Sequence, residues 1–331
     1  MFYSLEWGRS SSHLNQSGFD RLSRKMDFTN LNTGLYEPDK EHSSCGVGFL
    51  TRKDGRQTHE LMKLGHEALC AVPHRGGMSS EGVGDGAGVS VDLSTDFFNN
   101  LTGKPLAPGE FGVGNFFLPS GTKQQAIASN LIDQHVEISG FKIVKVRDLP
   151  VDRSQISDQA FKLQMPIRQW IFTQDSTISP REFEEKIYRM LLEIEKVAYL
   201  TPELDGLYPL SLSSRLQVLK GRLNSSELIP YFTDLQDVNH RIHTLYFHTR
   251  FSTNTDPHPT MAQPFRLMAH NGELNTDKKN RLSEAAISLA RNKSIIRPKG
   301  QSDSCRLDQT LSARVHEEGM DLVDAVVSMM P

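Results

Sequence analysis

The stretch SCGVGFLT, from Ser44 through Cys45, Gly46, Val47, Gly48, Phe49 and Leu50 to Thr51, marks the point where the chain changes character. Its apolar run reads as a buried strand, and Gly46 and Gly48 mark two places where another backbone comes close. Upstream, residues 1–44 hold eight serines, five basic and six acidic residues. Their apolar positions, such as Leu14, Phe19, Leu22 and Leu31, follow neither a helical nor a strand period, as expected of a loosely packed leader. Downstream, residues 57–72 place Leu61, Leu64, Ala68 and Leu69 on one helical face, and Pro73 ends the run. Six glycines between Gly76 and Gly88 then lead into a strand at 89–93.

Working further outward, apolar runs and alternation predict strands at 111–118, 141–149, 163–172, 208–213, 216–220, 243–249 and 265–270. Helices are predicted at 123–136, 180–199, 225–232, 280–291, 304–316 and 321–329. Pro180 opens the longest of them, which Phe183, Ile187, Leu191, Ile194 and Val197 line on one side. Strands and helices do not alternate strictly. That order points to an α+β fold, a layered core of sheets covered by helices, over a doubly wound parallel sheet.

A chain of 331 residues buries roughly three quarters of its unfolded surface and needs no metal or disulfide to fold. Its 37 Lys and Arg against 40 Asp and Glu give no support to a nucleic-acid binder with a strongly basic footprint. No stretch approaches the about 18 apolar residues that span a bilayer, and the N-terminus lacks the pattern of a secretory signal. The three cysteines, Cys45, Cys70 and Cys305, make neither a disulfide framework nor a Cys-rich metal site. A reducing, cytoplasmic setting is the expectation, with no membrane and no nucleic-acid partner.

Two tempting motifs fail. Gly82, Gly84 and Ala87 satisfy G-x-G-x-x-A, but the dinucleotide fingerprint follows a strand and opens a helix, whereas this cluster precedes a strand. Glycines at 82, 84, 86 and 88 point instead to backbone packed against backbone or against a small ligand. Among the histidines, His240, His243, His248, His258 and His270 show no H-E-x-x-H or paired-cysteine spacing, so no metal site is expected. The segment 277–299, with seven basic and two acidic residues, reads as a solvated face or a docking surface for an acidic partner.

What holds is a set of separated segments: SSCGVGF at 43–49, HRGG at 74–77, GDGAG at 84–88, SLSSR at 211–215, HTRFSTNT at 248–255, AQPFR at 262–266, AHNGELNT at 269–276, and S-D-S-x-x-L-D at 302–308. Taken in order, they resemble the class II glutamine amidotransferase domain of the glutamate synthase large subunit, an N-terminal-nucleophile hydrolase, over about 45–331. The resemblance implies a four-layer αββα sandwich. It implies that Cys45 is the nucleophile, freed by cleavage between Ser44 and Cys45, with 1–44 as a propeptide and 45–331 as the amidotransferase domain. Arg250 matches the residue that grips the glutamine α-carboxylate, and Asp303 the acid that receives the α-amino group. Asn271 and Gly272 match the oxyanion hole, and Arg75 and Gly76 a supporting motif beside the nucleophile. The implied partners are L-glutamine and a synthase domain or subunit that takes up ammonia to aminate 2-oxoglutarate. Flavin mononucleotide and an iron–sulfur cluster are implied for that synthase region or partner, and no cofactor for this segment.

The residue types suit the chemistry. A Cys thiol with a pKa of about 8.5 is only a few per cent thiolate at neutral pH, and a free α-amine on the same residue can serve as its base. A neutral Asn amide offers N–H donors to a developing oxyanion, where losing one donor costs about 3–4 kcal/mol. Arg pairs with a carboxylate in bidentate fashion, which Lys cannot do. By residue type alone each has another reading: Cys45 as a small buried hydrophobe, Asn271-Gly272 as a turn, Arg250 as a structural ion-pair partner, Asp303 as the N-cap of the 304–316 helix. Cys70 and Cys305 read as structural or incidental.

Two departures from the family pattern stand out: the basic stretch 277–301 is shorter than expected, and the chain stops where the family's sandwich continues. The expectation is therefore a sandwich incomplete at its C-terminus, with exposed apolar faces and poor solubility in isolation. The alternatives are a non-catalytic docking or regulatory domain, or an amidotransferase serving a different acceptor.

Overall fold

The apolar runs pair into two antiparallel sheets. The structure, a computed structural model, describes residues 46–72, 76–174, 178–250, 263–270, 277–290 and 302–330. The chain runs through β1 (Val47–Thr51), α1 (His59–Ala71), β2 (Ala87–Asp92), α2 (Thr95–Thr102), β3 (Phe111–Phe117) and α3 (Thr122–Ile138). It continues through β4 (Phe141–Asp148), α4 (Asp158–Lys162), β5 (Ile167–Gln174), α5 (Pro180–Leu200), β6 (Tyr208–Ser213) and β7 (Leu216–Gly221). Then come α6 (Leu228–Tyr231), β8 (Thr244–His248), α7 (Asp277–Ala290), α8 (Asp303–His316) and α9 (Leu322–Met329). The first sheet has the order β1-β8-β2-β7 and the second β4-β5-β3-β6. No helix among the described residues is long and apolar enough to cross a membrane.

The two sheets meet where Ser214 and Arg215 carry the chain from β6 into β7. A buried carboxylate fixes this corner. Glu184 of α5 accepts hydrogen bonds from Ser213 Oγ (2.6 Å), from Ser214 N (2.7 Å) and from the Ser214 hydroxyl. The SLSSR segment is thus a sheet-to-sheet corner in which Ser213 and Ser214 satisfy one acid, while the Ser211 hydroxyl accepts the Val218 N–H at 2.9 Å.

Helix α5 begins as its sequence demands. Ser179 caps it, Pro180 occupies the first turn, and Glu182 completes a capping box. Phe183, Ile187, Leu191 and Ile194 are buried, and they share one cluster with Ala128, Ile132 and Val136 of α3 and Phe116, Trp170 and Phe172 of the second sheet. Val197 is only half-buried. Helix α1 packs on β8 and β1, but its buried stripe is Leu61, Met62, Gly65 and Leu69. Leu64 is exposed and Ala68 half-buried, contrary to the sequence reading. The reason is Gly65: a Cβ there would lie 2.6 Å from Leu245 Cδ1, so the helix sits down on β8 along the 61–65–69 line.

Two other expectations change. Residues 225–232 split into a 3₁₀ turn, Ser225–Glu227, and the short α6. Residues 265–270 form no strand, because their backbone N–H groups turn to a side chain in α8, as described below.

Between the sheets lies a closed ring of polar side chains. Gln169 of β5 donates to Asn115 of β3 (2.9 Å) and to Gln217 of β7 (3.3 Å), and Asn115 donates to Gln217 (3.4 Å) and to Val218 O (3.3 Å). Gln217 Nε2 lies 3.2 Å from His240 Nε2, and His240 Nδ1 lies 2.8 Å from Asp234 O. A carbonyl can only accept, so His240 carries its proton on Nδ1, and burial keeps the ring neutral by pushing its pKa down. Arg147 closes the ring, bonded to Gln169 and ion-paired with Asp234. Removing one member of a buried pair strands the other charge. Asp234→Ala should therefore cost about 3–5 kcal/mol of stability, whereas the double variant Arg147→Met/Asp234→Leu should cost far less. Urea denaturation of the two variants checks the difference.

Candidate active site

One row of residues runs across the first sheet. His248 of β8 stands opposite Val47 of β1 on one side and Gly88 of β2 on the other, and Gly88 stands opposite Lys220 of β7. Residues directly opposite one another share a face. A Cβ at Gly88 would lie 2.7 Å from Gln263 O and 2.9 Å from Pro264 Cδ. The missing side chain lets the 263–264 backbone lie over β2, as the glycine spacing suggested.

From there the segment to His270 is held at three points. The Gln263 side-chain oxygen accepts the His270 N–H, so the segment closes on itself. Asp308 of α8 accepts three backbone N–H groups, from Arg266 (3.3 Å), Leu267 (2.8 Å) and Met268 (3.1 Å). Ser304, one turn earlier in α8, places its Oγ 2.6 Å from His270 Nε2. Arg266 is ion-paired with Glu195 of α5; Glu195 is buried and the Arg266 side chain is 11% exposed. Burial pushes the Glu195 and Asp308 carboxyls up, while the Arg266 guanidinium beside them pulls both back toward the ionised form.

Arg250 enters from the other side. Thr249 N donates to Gly46 O (2.8 Å), which fastens the entry to β1 beside the end of β8. Arg250 Nε donates to Asp85 Oδ2 at 2.9 Å. Asp85 belongs to a small hairpin in which Asp85 N donates to Gly77 O (2.8 Å), Ser79 N donates to Val83 O (2.9 Å) and Met78 bridges Gly84. Gly76 leads into that hairpin. Gly84 permits it to pass Leu223, whose carbonyl carbon would lie 2.3 Å from a Cβ. Asp303 is exposed at the first residue of α8. The N-cap is Ser302, not Asp303: its side chain accepts the Cys305 N–H at 3.1 Å. The Asp303 carboxylate instead accepts the Ser304 N–H at 2.7 Å.

Arg250 thus follows Thr249 and His248 at the end of β8, while His270, Ser304 and Asp303 form a hydrogen-bonded group at the start of α8. His248 is buried, and its pKa falls to about 4 because burial disfavours the charged ring and His270 and Lys220 lie close. Burial likewise brings Lys220 down to about 7. Its Nζ lies 5.5 Å from the Tyr208 ring centroid and 5.4 Å from that of Phe265. Ser44, Cys45, Arg75, Asn271 and Gly272 lie outside the described residues. Of the other thiols, Cys305 is buried with Sγ 3.7 Å from the Tyr208 hydroxyl. Cys70 is exposed, beside His66 rather than on the apolar side of α1. Among the described residues no group of three His, Cys, Asp or Glu side chains is placed to hold a metal.

A sequence profile of the class-II glutamine amidotransferases matches residues 45–331. The chain is a class-II glutamine amidotransferase domain. This domain is 33% identical over 319 residues to the NADH glutamate synthase of Saccharomyces cerevisiae, covering 90% of this chain and 15% of that protein. It is 34% identical over 250 residues to the large chain of the NADPH glutamate synthase of Azospirillum brasilense, covering 74% of this chain and 16% of that one. Against a ferredoxin-dependent chloroplastic glutamate synthase of Arabidopsis thaliana it is 34% identical over 248 residues, covering 72% and 15%. The amidotransferase domain thus spans about a sixth of the length of these curated relatives.

Sequence reasoning quoted the segments that hold Asp85, His248, Gln263, Ser304 and Asp308 but gave these residues no role. Their signal was present as the polar letters of GDGAG, AQPFR and S-D-S-x-x-L-D. Their partners, however, lie between 7 and 165 positions away.

His248 makes a stability prediction. An unfolded imidazole takes up its proton near pH 6.5, whereas the buried His248 does so only near 4. Below about pH 6.5 the unfolded state binds the extra proton, so stability is lost as pH falls toward 4, by up to about 3 kcal/mol. Urea midpoints at pH 7.5 and pH 5 should fall steeply for the wild type and less steeply for His248→Asn.

Proposed function

We propose that the domain hydrolyses L-glutamine to L-glutamate and ammonia. Support comes from its family membership, with Arg250 just after the end of β8 and Asp303 at the first residue of α8. In this reading the two sheets and their flanking helices make the αββα sandwich of the N-terminal-nucleophile hydrolases. Residues 1–44 are a propeptide removed between Ser44 and Cys45.

Arg250 receives the glutamine α-carboxylate and Asp303 its ammonium group, which leaves the side-chain amide directed at Cys45. The α-amine of Cys45 takes the thiol proton as sulfur attacks the amide carbon. Charge then develops on the amide oxygen, and the Asn271 side-chain amide and the Gly272 N–H stabilise it. The protonated amine gives its proton to the leaving nitrogen, ammonia departs, and a γ-glutamyl thioester remains. Water attacks the thioester, the amine takes the water's proton, and the thiolate leaves glutamate. Arg75 and Gly76 have a supporting role beside the nucleophile. Glutamate is rejected because a second carboxylate at the reacting end has no cation to meet it.

The ammonia would pass to a cytoplasmic synthase region or partner that aminates 2-oxoglutarate, where flavin mononucleotide and an iron–sulfur cluster would work. Intact-mass measurement of the purified chain should show loss of the first 44 residues. Cys45→Ser should lower glutaminase turnover at least about a thousandfold. An unprocessed chain with full activity, or an active Cys45→Ser variant, would contradict the reading.

A further inference from the structure

Gly77 and Arg250 converge on one carboxylate, Asp85 of the GDGAG segment, that the proposed chemistry leaves without a task. Asp85 Oδ2 lies 2.9 Å from Arg250 Nε, and the side chains are 22% and 39% exposed. Arg has five N–H donors in a rigid plane, one on Nε and four on the two Nη atoms. Asp85 takes the Nε–H, so the guanidinium cannot spin about its stem, and the Nη edge is the one left for a ligand. A bidentate carboxylate needs two parallel N–H groups in a fixed plane.

Asp85 is itself fixed from behind. Its N–H is bonded to Gly77 O, and a Cβ on Gly77 would lie 1.7 Å from Asp85 Oδ2. The carboxylate can lie against the first strand of the hairpin only because position 77 has no side chain. Gly77, Asp85 and Arg250 thus form a stack in which each group sets the place of the next.

We propose that Asp85 is a positioning residue for substrate recognition: backed by Gly77, it orients the Arg250 guanidinium so that its Nη edge receives the substrate α-carboxylate. This rests on the glutaminase reading and deepens it. The opposite sign of effect is physically available, because a nearby negative charge also repels an incoming carboxylate. If repulsion dominated, neutralising Asp85 would tighten binding.

Steady-state glutamine hydrolysis by the full chain separates these outcomes. For Asp85→Asn, the positioning role predicts a KM raised about tenfold with kcat held within about twofold, since a charge-assisted bond is weakened and the thiol chemistry is untouched. Gly77→Ala should give the same signature while keeping the charge, because its methyl group displaces the carboxylate. The Arg250 Nε–H proton should exchange slowly with solvent in the wild type and quickly in both variants. An unchanged or lowered KM in both variants of an active protein overturns this assignment alone. A wild type that neither hydrolyses nor binds glutamine overturns the glutaminase reading and this assignment with it.

Discussion

Gln263 and Pro264 lie over the first sheet at the one position in that row that has no Cβ, Gly88. The rest of the site follows from that crossing. It brings the 263–270 segment against α8, and α8 then holds it with Asp308 at its middle and Ser304 at its end. With a side chain at position 88, the segment would have to lift off the sheet, and His270 would lose its hydrogen bond with Ser304. A backbone approach thus decides where the 263–270 segment lies.

That assembly buries charge, which is costly unless paired. Glu195 and Asp308 are buried and Arg266 is half-buried, and their arrangement answers the cost: Arg266 pairs with Glu195, and three backbone N–H groups converge on Asp308. The same logic governs the ring between the sheets, where Arg147 and Asp234 are joined through Gln169, Gln217 and His240. In both places the polar groups hold irregular or bridging backbone in one geometry. The apolar clusters on either side supply the bulk of the burial.

Much of this was legible in the sequence, and the gaps have physical causes. β6 and α8 follow from their apolar patterns and α5 from its period and cap, although the cap of α8 falls on Ser302 and not Asp303, and the family motifs named the segments around the site. The strand expected at 265–270 fails because its N–H groups are claimed by Asp308, some 40 positions away, which no local pattern reveals. Met62 and Gly65 replace Leu64 in the buried stripe of α1 because Leu245 presses on the glycine. Gln169 and Gln217, read alone, are the polar half of an alternating strand and belong in water. Only a second sheet bringing its own polar residues to the same place makes them interior. The pairing of Arg250 with Asp85, 165 residues apart, is hidden for the same reason.

The central claim is that one of three thiols is the nucleophile. Of the other two, Cys305 is buried against Tyr208 and Cys70 is exposed on α1. The most direct test is to treat the chain with a glutamine analogue bearing a diazoketone in place of the side-chain amide, and to map the modified peptide by mass spectrometry. The account predicts a single adduct on Cys45 that excess glutamine prevents. An adduct on Cys70 or Cys305, or labelling that glutamine does not prevent, would contradict it.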